Sequence, residues 1–165
     1  MAFIATRRPL LYKPPVAAAG GSGHTYWRIE ITAAVPGGDG GSNLLDFFEA
    51  EFLASGVDLA TGGTASASET NGGFVASNAF DDNGGTRWIS NTTAFGTKWL
   101  QYQFASPVTP DQISITPFSS GRTPGTFTVK FSDDGSSFTL YGSSSFSTIE
   151  ADWTAGVKKT FTLVP

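Results

Sequence analysis

Apolar and polar side chains alternate along much of this chain, and this period of two predicts β-strands. In "TYWRIEIT", Trp27, Ile29 and Ile31 share one face, and polar residues take the positions between them. "KWLQYQFASPV" repeats the pattern, with Leu100 and Phe104 on its apolar face. Both segments are therefore predicted to be strands with one buried face.

The segments that follow Gly62 show the same period and are separated by turn residues. "TASASET", "DQISITPF" and "VKKTFTLVP" are predicted strands, and "TFTVKFSDDGSSFTLYG" predicts a hairpin. The turn of this hairpin contains Gly135, which tolerates the positive φ that tight turns require. Short strands at this spacing are typical of an antiparallel β-sandwich, so the chain is predicted to be all-β.

The segment "LLDFFEAEFLA" fits two kinds of structure. Its alternation, in which Phe48, Ala50 and Phe52 share a face, favours a strand. Its length and composition also suit a short amphipathic helix. The residues alone leave both interpretations open.

Residues 1–23 differ from the rest of the chain in composition. They contain three prolines, three basic residues and the run "AAAGGSG", and such Gly/Ser runs are typical of linkers. One interpretation is a disordered tail. The other is an extended arm that becomes ordered on a partner, because "FIATRRPLLY" has apolar side chains to bury. The predicted partner-binding residues of the arm are Phe3, Ile4, Arg7, Arg8, Leu10, Leu11 and Tyr12.

Composition and charge argue against several classes of function. The formal net charge of −4 offers no basic footprint for nucleic acid, and no apolar run is long enough to span a bilayer. The absence of cysteine excludes disulfides, thiol catalysis and thiolate metal sites. Lys13, Pro14 and Pro15 interrupt what would be the apolar core of a signal peptide, so no secretory leader is expected.

Residues suited to catalysis are scarce. The one histidine, His24, is expected to be an exposed residue at the edge of the folded part, and a single histidine excludes multi-histidine metal sites. The pairs Asp81–Asp82 and Asp133–Asp134 are adjacent in turns, whereas the two carboxylates of a glycosidase are spaced apart. The glycine-rich stretches lack the lysine of a phosphate-binding loop. The chain is therefore predicted not to be an enzyme.

An ordered series of short motifs resembles the discoidin, or coagulation-factor type C, domain and the family 32 carbohydrate-binding modules. An Ala-x-Asp turn leads to Thr-x-Trp, and a Trp-Leu-x-Tyr-x-Phe strand and a Ser-Asp-Asp-Gly turn follow. The matching residues are Ala79, Asp81, Thr86, Trp88, Trp99, Leu100, Phe104, Ser132, Asp133, Asp134, Gly135 and Phe138. The resemblance covers roughly residues 56–163. It implies an antiparallel, galactose-binding-like jelly-roll β-sandwich at residues 24–165, preceded by the extended N-terminal arm at residues 1–23.

The order of two motifs departs from this family. Typical members close with a "YVRL-x-I" strand and an "S-I-A-E-I-x-V-F" strand, whereas "YWRIEIT" and "LLDFFEAEF" come first here. The resemblance therefore implies a circularly rearranged chain in which residues 25–53 supply the strands usually found last. Such rearrangement is tolerated because chain ends often lie close together. It favours a strand over a helix for "LLDFFEAEF".

The resemblance also implies a structural Ca²⁺ site at the turn "NAFDDNGGTRW". Calcium takes six to eight oxygen ligands, and residues at i, i+2 and i+5 of this turn match the family's side-chain ligands. The expected ligands are the side chains of Asp81, Asn83, Thr86 and Glu49, and the backbone oxygens of Asn78, Thr86 and Phe48. The alternative is a glycine-rich turn held only by Asx-type hydrogen bonds.

In this family, loops at one end of the sandwich hold the ligand with an aromatic ring and a few hydrogen-bonding side chains. The candidates here are Phe74, Asn91, Phe95 and Arg122. Three of them also have a structural alternative: Arg122 can brace its loop, Phe95 can pack beneath its loop, and Phe74 can belong to the core. The family usually buries the tryptophans that correspond to Trp88 and Trp99, so both are expected in the core.

The resemblance extends to small proteins of tailed bacteriophages, in which a rearranged domain of this type follows a short arm. The predicted function is a non-enzymatic virion structural protein that decorates the head or tail. It is expected to form a homo-oligomer in the assembly, to bind other virion proteins through its arm and to bind host-surface glycans. Assembly in the host cytoplasm is expected. The alternatives are a free-standing extracellular carbohydrate-binding or adhesion module, and an accessory domain of a glycoside hydrolase.

Overall fold

In a computed structural model, the described residues are 23–36, 43–91 and 96–165. The strands are β1 His24–Ala34, β2 Asp46–Ala54, β3 Val57–Asp58, β4 Thr64–Ala67, β5 Trp88–Ile89, β6 Lys98–Val108, β7 Gln112–Pro117, β8 Pro124–Ser132, β9 Thr139–Ser147 and β10 Lys159–Thr162. Short 3-10 turns occur at Ala76–Ala79 and Glu150–Asp152. The predicted contact residues of the arm, Phe3 to Tyr12, lie outside the described residues.

Within these ranges the strands pair in antiparallel fashion into two sheets. One sheet has the order β4-β6-β1-β8-β9 and the other has the order β10-β7-β2-β3, with β5 paired to the first residues of β2. Each sheet buries one apolar face against the other, because that face cannot be left in water. The all-β sandwich predicted from the alternation of side chains is confirmed.

Strand β1 lies in the middle of the first sheet, where it pairs with β6 and β8. Its residues Trp27, Ile29 and Ile31 are completely buried, which confirms the alternation in "TYWRIEIT". The indole N–H of Trp27 donates to the carbonyl oxygen of His24 at 3.1 Å. The polar atom of this core side chain is therefore satisfied inside the fold.

The segment "LLDFFEAEFLA", which fitted both a strand and a helix, forms strand β2. It pairs with β7 and changes register between Phe47 and Glu49, which is a β-bulge or irregularity. Phe47, Ala50 and Phe52 are completely buried, whereas Phe48 is half-buried. The expectation that Phe48 shares a face with Ala50 and Phe52 is therefore wrong, because the extra residue at the bulge interrupts the alternation.

The predicted hairpin is formed by β8 and β9, with Gly135 at a φ of +72° in the turn. The carboxylate of Asp134 accepts hydrogen bonds from the backbone N–H groups of Ser137 (2.9 Å) and Ser136 (2.8 Å). These hydrogen bonds lower the pKa of Asp134 to about 2, because they stabilise its charged form. The conformation of the turn therefore depends on hydrogen bonds between residues that are close together in the sequence.

Aromatic side chains fill the space between the sheets. Phe52 of the second sheet lies 6.3 Å from Trp27 and 5.9 Å from Phe104 of the first sheet, measured between ring centroids. Phe80, which follows the first 3-10 turn, stacks on Phe52 at 6.2 Å and lies 5.1 Å from Tyr102. The loop that carries Asp81 is thereby anchored in the core, since the buried ring of Phe80 directly precedes it.

His24 is not the exposed residue that its position in the sequence suggests. It is 8% exposed, stacks on Phe131 with ring centroids 3.7 Å apart, and places Nδ1 3.0 Å from the carboxylate of Asp133. The prediction failed because His24 begins β1 and packs beside the hairpin, a contact between residues 109 positions apart.

Trp99 also differs from its expected place in the core. Trp88 is completely buried as expected, but Trp99 is half-buried on the outer face of β6. The guanidinium of Arg28 lies 4.2 Å from the Trp99 ring and 3.5 Å from the Phe138 ring. Because Leu100 takes the inward position, Trp99 must point outward, as the alternation of a strand requires.

Candidate functional site

One edge of β2 pairs with β7, and the other edge pairs with neighbouring strands only near its two ends. Strand β5 pairs with Asp46 and Phe47, and β3 pairs with Leu53 and Ala54. The 3-10 turn Ala76–Ala79 packs against β2 and leads into the turn that carries Asp81. This arrangement brings an acidic turn next to Glu49, about thirty residues earlier in the chain.

The acidic turn is organised around the carboxylate of Asp81. That carboxylate accepts hydrogen bonds from the Thr86 hydroxyl at 2.8 Å and from the backbone N–H of Asn83 at 3.0 Å. The side-chain oxygen of Asn83 accepts one from the backbone N–H of Gly85 at 3.0 Å. Asp82 has a φ of +55°, the left-handed conformation that Asp adopts more readily than most residues. The three predicted side-chain ligands of this turn are therefore held together.

Glu49 faces this turn, and its carboxylate lies close to the carboxylate of Asp81 and the backbone N–H of Asn83. Both of its carboxylate oxygens are buried, and neither makes a hydrogen bond of standard geometry within the described part of the chain. Burial, followed by the negative charge of Asp81, raises the pKa of Glu49 from an ordinary 4.5 to about 7. A divalent cation would neutralise both carboxylates, so the donor set fits calcium.

Two further residues of the predicted cation site have visible side-chain contacts. The amide of Asn78 donates to the carbonyl oxygen of Arg87 at 3.0 Å. The ring of Phe48 lies 5.5 Å from that of Phe118. The roles of their backbone oxygens stay predictions.

Within residues 23–36, 43–91 and 96–165, no group of three or more His, Cys, Asp or Glu side chains is arranged to hold a metal.

A second set of polar side chains meets at the first residue of β2. Asp46 is completely buried, and its Oδ2 lies 3.3 Å from Nη1 of Arg87 and 3.3 Å from Nη1 of Arg122. The backbone holds these segments together, since the N–H of Asp46 donates to the carbonyl of Arg122 at 3.1 Å. Arg87 directly precedes β5, which pairs with Asp46.

Phenylalanine rings border the two arginines. The guanidinium of Arg87 lies 3.9 Å from the Phe118 ring and 4.9 Å from the Phe74 ring. Phe118 is 41% exposed and Phe74 is 38% exposed, so apolar surface remains beside the charged groups. We call Asp46, Arg87, Arg122, Phe74 and Phe118 the arginine–phenylalanine cluster.

The structure brings some of the predicted ligand-binding residues together. Arg122 and Phe74 belong to the arginine–phenylalanine cluster, and Arg122 also braces its loop through Asp46. Asn91 is exposed and follows Ser90, whose backbone N–H donates to Leu45 beside Asp46. Phe95 lies outside the described residues.

Three residues of the cluster were missed by sequence reasoning. Asp46, Arg87 and Phe118 lie on separate segments, and no spacing in the sequence links them. The available signal was the charge of Arg87 inside the "TRW" motif, directly before a core tryptophan. A charged residue in that position has to find a partner near the core.

The sequence comparison identifies the family of this domain. A profile of the F5/8 type C domain matches residues 63–165, which is more than half of the chain. The chain belongs to the F5/8 type C, or discoidin, family. Its sandwich is accordingly a galactose-binding-like jelly roll, and its domain type is a ligand-binding or adhesion module. No curated protein and no solved structure matched the chain.

The family match begins after the first two long strands. Strands β1 and β2 precede Gly63, yet β1 lies between β6 and β8, and β2 lies between β7 and β3. The F5/8 type C domain of this chain is therefore interleaved with strands from outside the matched segment. The circularly rearranged order stays a prediction, since it was inferred from the order of motifs.

No described helix is long and apolar enough to cross a membrane.

Proposed function

We propose that this discoidin domain binds carbohydrate at the end of the sandwich where β2 begins, and that it acts there without catalysis. One observation carries the proposal: Arg87 and Arg122, each partly exposed, converge on buried Asp46 beside the exposed rings of Phe74 and Phe118. Carbohydrate sites combine such rings with a few fixed hydrogen-bond donors.

The chemistry of a sugar suits each part of the arginine–phenylalanine cluster. Guanidinium N–H groups donate to ring and hydroxyl oxygens, and Asp46 holds both arginines in place. The exposed ring of Phe74 or Phe118 would pack against the apolar face of the sugar. Asn91, exposed at the same end, would add an amide donor and acceptor.

We further propose that Ca²⁺ binds beside β2 with a structural role. The side chains of Asp81, Asn83 and Thr86 would hold it together with Glu49, and the backbone oxygens of Asn78, Thr86 and Phe48 would complete the shell. The buried oxygens of Glu49, which lie close to the Asp81 carboxylate, support this assignment. The cation would fasten β2 to the turn and so hold together two segments distant in sequence.

For the whole protein we propose a non-enzymatic structural role on a bacteriophage particle, as a head or tail decoration or adhesion protein. Residues 1–23 would attach the domain to other virion proteins, and the domain would face host glycans. The composition of that segment, with apolar and basic side chains before a Gly/Ser run, supports this proposal. A free-standing extracellular adhesion module, or an accessory domain of a glycoside hydrolase, is the alternative.

A glycan array tests the carbohydrate-binding proposal. We expect the full chain to bind a subset of glycans and Arg122→Ala to lose that binding. Lys130→Ala is the control, because Lys130 pairs with Glu30 on the outer face of the first sheet, away from the cluster. Absence of binding across a broad array would contradict the proposal.

A further inference from the structure

We propose that Asn83 is a site of non-enzymatic deamidation, which converts it to aspartate or isoaspartate and adds a negative charge to the acidic turn. This inference goes beyond the proposed carbohydrate binding and does not depend on it. It rests on the sequence Asn83–Gly84, on the exposure of both residues and on a hydrogen bond that positions the Asn83 amide.

In this reaction the side chain of Asn83 closes onto the backbone nitrogen of the next residue. The nitrogen of Gly84 attacks Cγ of Asn83, and the side-chain amide leaves as ammonia, with the proton of the Gly84 N–H. Water then adds to one of the two carbonyl groups of the succinimide ring and breaks its bond to nitrogen. Addition at Cγ gives aspartate, and addition at the backbone carbonyl gives isoaspartate. Water is the only co-reactant, and nothing is oxidised or reduced.

The attacking nitrogen of Gly84 is open to solvent. Gly84 is exposed, and its N–H makes no hydrogen bond within the described residues. A Cβ at this position would meet no atom within 4 Å beyond its chain neighbours. The nitrogen can therefore lose its proton and approach Cγ without breaking an existing hydrogen bond or displacing another side chain.

The Asn83 amide is held in position for this attack. Its Oδ1 accepts a hydrogen bond from the backbone N–H of Gly85 at 3.0 Å, which closes an Asx turn. The Gly84 nitrogen is one atom of the ring that this hydrogen bond closes, so Cγ is kept near that nitrogen. Because Oδ1 gains negative charge as the nitrogen attacks, the Gly85 N–H stabilises the transition state.

A second Asn-Gly sequence provides a comparison within the same chain. Asn71 precedes Gly72 and is also exposed. Its backbone is fixed by hydrogen bonds with Ile89 and Phe74, and its side-chain amide makes no hydrogen bond in the part of the chain that the structure describes. Asn71 therefore lacks the N–H group that stabilises the developing charge at Asn83, and it should react more slowly.

The Asp134–Gly135 sequence could close the same kind of ring, but its surroundings protect it. The Gly135 N–H donates to the Ser132 hydroxyl at 3.0 Å. Hydrogen bonds from Ser137 and Ser136 lower the pKa of Asp134 to about 2, so its carboxyl group is ionised at neutral pH. A carboxylate resists attack by nitrogen because it already carries negative charge. Asn83 is therefore distinguished by its surroundings as well as by its sequence.

Deamidation would change the electrostatics of the acidic turn. The backbone N–H of Asn83 donates to the carboxylate of Asp81 at 3.0 Å and lies close to that of Glu49. A new carboxylate in this turn would repel both groups. It would also exchange a neutral amide for a charged ligand in the candidate cation site, and the charge of the ligands tunes calcium affinity.

Peptide mapping by mass spectrometry tests the proposal on the full chain. The protein is aged in a mildly alkaline buffer with EDTA, and deamidation at Asn83 and Asn71 is followed over time. We expect Asn83 to react about fivefold faster than Asn71 or more, since a hydrogen bond to the developing charge supplies a factor of that order. In guanidinium chloride the two residues should react at similar rates, because unfolding removes the Asx turn.

Substitutions identify the attacking nitrogen. Gly84→Ala has room for its Cβ and should slow the reaction of Asn83 to below the rate of Asn71, because the added methyl group hinders the approach of the nitrogen. Gly73→Ala is the matched control: it also has room for a Cβ, leaves both Asn-Gly sequences intact and should leave the rate at Asn83 unchanged. The wild-type comparison decides the matter alone if Gly84→Ala does not fold.

Three results would count against the proposal. Equal rates at the two residues of the folded chain, a faster reaction at Asn71, or no reaction at Asn83 would each overturn it. A difference between Asn83 and Asn71 that persists in guanidinium chloride would overturn the role of the Asx turn, because the cause would then lie in the sequence alone.

Discussion

The side-chain amide of Asn78 donates a hydrogen bond to the carbonyl oxygen of Arg87 at 3.0 Å. Asn78 begins the acidic turn that faces Glu49, and Arg87 belongs to the arginine–phenylalanine cluster. The same amide lies 3.4 Å from the carbonyl oxygen of Gly73, next to Phe74. One side chain therefore connects the candidate cation site to two segments of the candidate ligand site.

The substitution Asn78→Ala should remove the hydrogen bond that joins the two candidate sites. Loss of the hydrogen bond to Arg87 is expected to lower the free energy of unfolding by about 1 kcal/mol. Chemical denaturation with an unchanged m-value would measure it. Asn91→Ala is a matched control, since Asn91 is exposed and should change stability by less than about 0.5 kcal/mol. Equal effects of the two substitutions would contradict a structural role for the Asn78 amide.

Calcium should stabilise the protein through Glu49 and Asp81. At one hundred times the dissociation constant, a bound ion stabilises the folded state by about 2.7 kcal/mol, which corresponds to a rise in Tm of roughly 5–10 °C for a chain of this size. Thermal unfolding with Ca²⁺ and with EDTA measures the shift. Glu49→Gln should abolish most of it, and Asp133→Asn, in the distant hairpin turn, should not. An unchanged Tm in EDTA would refute the cation site.

The stability of the cation-free protein should fall as the pH rises from about 4.5 to about 7. Burial and the charge of Asp81 raise the pKa of Glu49 to about 7 in the folded state, against an ordinary value of 4.5. Between these values the folded state holds a proton that the unfolded chain releases, so raising the pH favours unfolding. Above the folded pKa the loss should level off.

Denaturation over this pH range in EDTA, on the wild type and on Glu49→Gln, isolates the effect, because Gln cannot titrate. The difference in stability between the two proteins should change with pH in that window. Calcium binding should show the opposite trend and tighten as the pH rises through about 7, since the cation competes with the proton. Parallel pH profiles for the two proteins would show that Glu49 does not titrate as described.

Removal of residues 1–22 should leave the domain folded but prevent its attachment to other virion proteins. The described strands begin at His24, so the shortened chain should keep the sandwich and its glycan binding. If the chain is a virion protein, incorporation into particles should be lost, which particle purification and gel analysis would measure. Full incorporation of the shortened chain would rule out the arm as the attachment element.

The strands and their buried faces were predictable because they depend on local alternation. Trp27, Ile29 and Ile31 occupy every second position of β1, and a strand turns every second side chain to the same face. The hairpin turn at Gly135 was predictable for a similar reason, since its φ of +72° is a local requirement that glycine meets.

The surroundings of polar and charged residues were decided by tertiary structure. Lys98 is 2% exposed and pairs with Glu69 at 2.7 Å, although lysine is usually exposed. His24 is buried against Phe131 and Asp133, a contact that spans 109 positions and has no local signature. Alternation specifies the face of a residue and not the neighbour that it meets there.

The all-β fold, the family and the acidic turn at Asp81 were predictable from the sequence, because short motifs and a period of two carry that information. Only the tertiary structure showed that the Glu49 carboxylate is buried, which raises its pKa to about 7, and that Asp46 gathers Arg87 and Arg122 beside two exposed rings. These groups lie on separate strands and loops. The order of motifs placed Glu49 near the acidic turn, but no pattern along the chain records the contact of Asp46 with the two arginines, because these residues meet only when the chain folds.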